Sequence, residues 1–398
     1  MRSMRSTNPG AFSAAATALA VLAAVLVSVT AAPGTASAGP ASDPVTVASS
    51  VAPDNGRTCT NSRIPVELKP GIVIAPGTNL GLPLGKQYIF VKLCLPSGRP
   101  VPQTVQLLVH GITYDHRYWN LADPADPQGN RYSWEYAAAQ AGYATAAIDR
   151  IGSGQSSHPL SAFVDIDSNA QAVHDVVQAL RAGTVPAPGG AHVAFGNVVL
   201  VGHSYGSMTG FIEASRFNDV DALLLTGVSH NVREVAAPLN VESGVYPAVL
   251  DPQFKGTLLD PGYATPLPGA QRRLFYAPGT DVDPRIIATD AATKGTVTQF
   301  ELANYPIIFR TKLNIRVPVL IVDGSKDGLF CHQTLLDLGA PCGSAAALIK
   351  SERPWYGPNL PSLDAYIVPG AGHDLDAFRS SQQTFNVSMT WIAAKVPA

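Results

Sequence analysis

The stretch Val198-Val199-Leu200-Val201-Gly202-His203-Ser204-Tyr205-Gly206 runs an apolar segment straight into a serine held between two glycines. A serine hydroxyl is a weak nucleophile at neutral pH. Chemistry at Ser204 therefore needs a base to take its proton and a further group to orient that base. Two later strand-like segments end in side chains of those types. "VPVLIVDG" leads into Ser325-Lys326-Asp327, and "AYIVPG" leads into Ala371-Gly372-His373. Serine, acid and histidine thus follow one another along the chain, each just beyond an apolar run. A nucleophile, a base and an orienting carboxylate form a constellation for acyl transfer, provided the fold brings the three ends together.

The elements that must position them alternate in kind. "QYIFVKLCL" (87–95) predicts a strand with Ile89, Val91, Leu93 and Leu95 on one face, and "TVQLLVH" (104–110) is apolar nearly throughout, as a central strand is. "WEYAAAQAG" predicts a helix stopped by Gly142, and "YATAAID" a strand after it. "DIDSNAQAVHDVVQALRAG" predicts a longer helix, capped by Asp165 or Asp167, with Ala170, Val173, Val177 and Leu180 as its stripe. The run "NVVLVGH", a helix from about Tyr205 and the strand "DALLLTGV" follow, and a last helix passes through "FNVSMTWIAA". Strands alternating with helices predict an α/β fold with a doubly wound, mainly parallel sheet. In such sheets functional groups sit beyond the carboxyl ends of the strands.

The sequence words at these ends resemble the α/β-hydrolase fold superfamily, over roughly residues 87–398 apart from an interval near 229–316. G-x-S-x-G at 202–206 is joined by His110-Gly111-Ile112 after an early strand and by Asp149-x-x-Gly152-x-Gly154-x-Ser156 after the next. Gly324-x-x-Asp327 and Gly370-x-Gly372-His373 complete the set. The resemblance implies that Ser204 is a nucleophile on a strained elbow, with Gly202 and Gly206 leaving it room, that His373 is its base and that Asp327 orients the base. It also implies an oxyanion hole from the backbone N–H groups of Tyr205 and Ile112. Asp323 competes with Asp327 but ends the strand itself. His110 and His203 match structural positions and read as packing or loop-shaping residues, and Asp149 reads as bonding its own glycine-rich loop. His116, His158, His174 and His332 carry no motif and read as surface or loop residues.

What the resemblance implies about activity is cleavage of a carboxylic ester through an acyl-enzyme, with no metal and no organic cofactor. Amide, peptide or thioester cleavage and acyl transfer remain open on the same three residues, as does a non-catalytic binding protein on this scaffold. Expected partners are small-molecule or lipid-like esters.

Composition supports a globular chain. It has 398 residues, 46% hydrophobic and 14% charged, and a formal net charge of -2, which offers no electrostatic case for nucleic acid. Arg2 and Arg5, the apolar run Ala11 to Thr30 and the site Ala36-Ser37-Ala38 predict a secretory signal over 1–38. The mature protein is therefore expected outside the cell, without a stable membrane anchor. In that compartment Cys59, Cys94, Cys331 and Cys342 are expected to form disulfides, and the local pairing Cys59–Cys94 with Cys331–Cys342 crosses the fewest other elements. With no C-x-x-C and no helically spaced histidine pair, a zinc site is disfavoured. The domain reading is an N-terminal extension over 39–86, a core over 87–228 and 317–398, and a cap or lid over 229–316. That interval far exceeds the usual connection of about 4–6 residues. It carries Tyr246, Phe254, Tyr263, Phe275, Tyr276, Phe300, Tyr305 and Phe309, which suit either an apolar substrate or the cap's own core.

Overall fold

The computed structural model describes residues 55–69, 86–126, 128–231, 244–269, 275–276, 280–303, 308–331 and 339–398. The expected signal segment 1–38 lies outside the described residues, as do Tyr305 and His332. The strands are β1 (Arg57–Val66), β2 (Gln87–Pro96), β3 (Thr104–Val109), β4 (Ala144–Ile148), β5 (Asn197–His203) and β6 (Ala222–Thr226). After them come β7 (Val245–Pro247), β8 (Tyr263–Pro266), β9 (Val297–Thr298), β10 (Val319–Gly324) and β11 (Leu363–Val368). The helices are α1 (Trp134–Gln140), α2 (Ile166–Ala182), α3 (Tyr205–Phe217), α4 (Pro284–Ala292), α5 (Gln299–Ala303), α6 (Ala345–Glu352) and α7 (Ser381–Lys395).

Eight strands form one sheet in the order β1-β2-β4-β3-β5-β6-β10-β11. β2 runs antiparallel to β1 and β4, and every other neighbouring pair is parallel. β3, β4, β6 and β10 are buried along their whole length, which is why they read as continuous apolar runs. Side chains alternate across a strand, and Gln106 of β3 pairs in register with Val199 of β5. Gln106 bonds Trp134 of α1 and Met389 of α7. Leu200, the next residue along β5, lies against Gly210 of α3 instead. Helices α1 and α7 therefore cover one face of the sheet, and α3, with α2 packed on it, covers the other. Of the two candidate caps for α2, Asp165 takes the position, in a reciprocal capping box with Ser168, and Gly183 closes the helix at φ 68°.

Residues 57–66, expected inside an N-terminal extension, form β1 and pair with β2 over ten positions. The expected boundary at 86/87 therefore cuts between two paired strands of the main sheet. The reason is physical: Arg57-Thr58-Cys59-Thr60-Asn61-Ser62-Arg63 is polar because an edge strand keeps one side wet. Both disulfides have the expected partners, Cys59–Cys94 and Cys331–Cys342. Between β6 and β10 the described chain forms a separate three-stranded sheet, β7-β8-β9, together with α4 and α5.

Candidate active site

Ser204 stands alone between the last residue of β5 and the first of α3, with φ 53° and ψ -117°. A side chain in that region is strained, and the surrounding hydrogen bonds hold it there: Ser204 N–H donates to Thr226 O at 2.8 Å, and Met208 N–H donates to Ser204 O at 3.1 Å. The flanking glycines are needed for close approach rather than for backbone freedom. A Cβ on Gly202 would lie 2.5 Å from Ser207 Cα, and one on Gly206 would lie 2.0 Å from Val109 O. Gly202 is pressed against the first turn of α3 and Gly206 against the end of β3, so only glycine fits on either side of the serine.

His373 and Asp327 come from the ends of β11 and β10 and meet over a single hydrogen bond, Nδ1 to Oδ2 at 2.7 Å. Both are buried, at 1% and 0% exposure. Asp327 Oδ1 accepts from the N–H groups of Leu329 and Phe330 at 2.7 and 3.1 Å, which fixes the carboxylate plane. Burial raises the Asp327 pKa, but the His373 charge and the donors around it prevail and hold it below the ordinary carboxylate value. Burial also pushes His373 down, and the Asp327 charge and hydrogen bond, with the nearby Asp374, overcome it and leave it above its ordinary value. With Nδ1 committed to Asp327, His373 Nε2 has no hydrogen-bond partner among the described residues. Thr226-Gly227 touches both sides of the site: Thr226 accepts from the Ser204 backbone, while a Cβ on Gly227 would lie 3.1 Å from His373 Cε1. Asp323 is not part of this contact. It is buried within β10, where its Oδ1 accepts from Val228 N–H.

Ile112 lies in the loop after β3, and a Cβ on the preceding Gly111 would come within 3.1 Å of Ser204 Cβ. The Ile112 N–H donates to no described backbone group. Tyr205 opens α3, where the first-turn N–H groups have no acceptor inside the helix. Thr113, the residue after Ile112, holds a positive φ of 59°. His110 is neutral, because full burial, with the Arg150 charge behind it, drives its pKa well below the ordinary value. Its Nε2 accepts from Arg150 N–H at 3.0 Å, so Nδ1 carries the proton and donates to Gly111 O at 2.7 Å. That is loop-shaping in atomic detail. Asp149 likewise bonds its own loop, accepting from Gln155 N–H at 2.7 Å.

One aromatic of the 229–316 interval reaches the site, and other residues there carry no sequence signal. Phe275 and Phe330 pack on the His373 ring with centroids at 5.5 and 5.6 Å, and Phe275 O accepts from His373 N–H. Tyr263, Tyr276 and Phe309, from the aromatic interval, are buried in the protein's own packing. Arg150 and Glu301 form a buried ion pair beside the loop of Ile112. No cue of spacing could have joined those two, and Arg and Glu are almost never buried unless paired. Ligand-type atoms of His203, His373 and Asp374 lie within 4.8 Å of one another, as do those of Asp115, His116 and Asp149. In each set a histidine and a carboxylate are already bonded to each other, at 3.0 and 2.7 Å.

A model of the alpha/beta hydrolase family matches residues 106–386. A search of curated protein sequences returns no match. Among solved structures, the chain is similar to the esterase RhEst1 from Rhodococcus sp. ECU1013 at 15% identity, covering 78% of this chain and 96% of that one, with a TM-score of 0.46. It is similar to the carboxylesterase CesB (YbfK) from Bacillus subtilis at 14% identity, over 84% and 93% of the two chains, with a TM-score of 0.47. The esterase EaEST from Exiguobacterium antarcticum aligns at 15% identity over 77% and 96%, with a TM-score of 0.48. With its strand order, its serine turn and a family match spanning most of its length, this chain belongs to the alpha/beta hydrolase family.

Proposed function

We propose that the protein is an exported serine hydrolase that cleaves a carboxylic ester through an acyl-enzyme, with Ser204, His373 and Asp327 as its working residues. The observation that carries this reading is the 2.7 Å bond between His373 Nδ1 and Asp327 Oδ2, which leaves Nε2 without a hydrogen-bond partner among the described residues, while Thr226-Gly227 adjoins both the strained Ser204 turn and the His373 ring. Nε2 takes the hydroxyl proton as Ser204 Oγ attacks the ester carbonyl carbon. Charge then builds on the carbonyl oxygen, which the N–H groups of Ile112 and Tyr205 receive. Collapse of the tetrahedral species expels the alcohol, protonated by His373, and leaves an acyl-serine. Water, deprotonated by the same nitrogen, releases the acid. Asp327 holds the tautomer and balances the imidazolium without taking the proton. The two disulfides fit an oxidising compartment, which supports export.

A fluorophosphonate probe tests the reading directly. Labelling of the wild type, lost in Ser204→Ala, is the expected result. A wild type that stays unlabelled and inert toward p-nitrophenyl esters of graded chain length would leave a binding protein on this scaffold.

A further inference from the structure

The loop that carries Ile112 is held from the far side by a charged pair buried in the protein. Arg150 follows β4 and is 1% exposed. Its Nε donates to His110 O at 3.1 Å and its Nη2 donates to Gly111 O at 3.3 Å. Its guanidinium also lies 4.9 Å over the ring of Tyr205. One side chain therefore bonds the backbone before Ile112 and lies over the Tyr205 ring, so it contacts both residues' segments. A trans peptide is planar, so its C=O and N–H point in opposite directions. Gly111 O is fixed by two donors, His110 Nδ1 and Arg150 Nη2, and the Ile112 N–H of the same peptide is thereby aimed the other way.

Arg150 is held in turn by Glu301, from the segment between β6 and β10. Glu301 Oε1 accepts from Arg150 Nη1 and from Asn169 Nδ2, and its Oε2 accepts from Thr298 N–H at 2.8 Å. The same segment grips the oxyanion loop through the backbone. Gly295 N–H donates to Thr113 O at 2.6 Å, and Thr113 N–H donates to Thr296 O at 3.3 Å. Thr113 is the residue with the positive φ. Thr296 Oγ1 adds a bond to Gly152 O at 2.7 Å. Residues 295–301 thus form a strap fastened at three places to the loops after β3 and β4.

We infer that Arg150 and Glu301 are positioning residues for the oxyanion hole, and that the strap 295–301 belongs to the catalytic frame rather than to a freely opening lid. This rests on the ester-hydrolase reading of Ser204. Substrate in its ground state asks little of the Ile112 N–H, whereas the tetrahedral intermediate needs it in place. Loosening the pair therefore lowers kcat and spares KM.

Glu301→Gln keeps the shape and removes the charge that holds the guanidinium. Its kcat is expected to fall about tenfold to a hundredfold, below the loss of about 10²–10³ for a deleted oxyanion donor, with KM within about twofold. Affinity for a trifluoromethyl ketone should fall in parallel with kcat. The double variant Arg150→Met/Glu301→Leu replaces the ion pair with an apolar one, an exchange that buried pairs often tolerate, so a folded protein is available even where a single change unfolds it. Its kcat should fall at least as far as that of Glu301→Gln. A folded double variant with wild-type kcat and ketone affinity would overturn the inference, as would a rise in KM with kcat intact. Fluorophosphonate labelling of the wild type separates the two failures: without it the ester-hydrolase reading falls, and with it only the role of the pair is at stake.

Discussion

Asp327–His373 and Asp374–His203 are two buried carboxylate–imidazole pairs whose histidine rings lie 5.0 Å apart between centroids. The bonds are similar, 2.7 Å in one and 3.0 Å in the other, and all four side chains are at most 1% exposed. They differ in what the second ring nitrogen does. His203 spends Nε2 on Asp374 and Nδ1 on Thr226 Oγ1, and Asp374 also receives the Tyr114 hydroxyl at 2.6 Å. His373 spends Nδ1 on Asp327 and leaves Nε2 without a partner among the described residues. The pKa values move in opposite directions as well. Burial takes His203 below its ordinary value against the pull of Asp374, while His373 ends above its own despite burial. Residue type and distance thus do not separate the two pairs. The use made of the second ring nitrogen does, and on the proposed reading it marks His373 as the base.

The sharpest way to break this contrast is to delete one histidine at a time. Ser204→Ala and His373→Ala should each lower kcat by about 10⁶. His203→Gln should cost less than about a hundredfold, with a lower melting temperature, because it removes packing and hydrogen bonds rather than the base. Equal kinetic losses at His203 and His373 would dissolve the distinction.

The acids come next. Asp327→Asn should cost about 10⁴ in kcat by stabilising the wrong imidazole tautomer. Asp374→Asn should stay within about tenfold, since its partner is His203. An inactive Asp323→Asn beside a healthy Asp327→Asn would reassign the acid.

The pH profile is a gentler probe. The base must be neutral, so kcat/KM should fall as pH drops through the His373 pKa, with a midpoint above 6.5 because the folded value is raised. Asp327→Asn removes the main force raising it, so any residual activity should keep its limb at a lower pH. A wild-type midpoint below 6.5 would contradict the raised value.

The two disulfides should give the smallest kinetic effect. Asp327 O accepts from Cys331 N–H, so the Cys331–Cys342 bridge anchors the turn that carries the acid. Removing a ring of about a dozen residues costs about 3 kcal/mol in the chain-entropy model, and the Cys331→Ser/Cys342→Ser variant should lose several-fold in kcat as well as melting temperature. Cys59→Ser/Cys94→Ser should lose melting temperature with kcat nearly intact.

Much of this was legible in the sequence. Apolar runs leading to Ser204, Asp327 and His373 announced both the sheet and the residues at its carboxyl edge, because a buried parallel strand has a local signature and functional groups sit beyond its carboxyl end. His110 and His203 are both buried and hydrogen-bonded within the protein, in keeping with loop-shaping or packing roles. β1 was hidden because its partner, β2, lies beyond a stretch of Pro and Gly, and half of it faces water. The Arg150–Glu301 pair was hidden because it joins positions 151 apart, and charged residues advertise a surface until a fold pairs them.

The Cys59–Cys94 bridge joins residues directly opposite each other in the β1–β2 register. A slip of one residue would turn every β1 side chain to the wrong face, and the covalent link forbids it. It also shields a neighbour. If β1 were to peel away, the outer edge of β2, with the sequence Gln87-Tyr88-Ile89-Phe90-Val91-Lys92-Leu93-Cys94-Leu95-Pro96, would present open backbone donors and acceptors to any passing strand. The Cys59–Cys94 bond is therefore expected to guard this edge against strand addition. Reduction should produce concentration-dependent light scattering before any activity toward p-nitrophenyl esters declines.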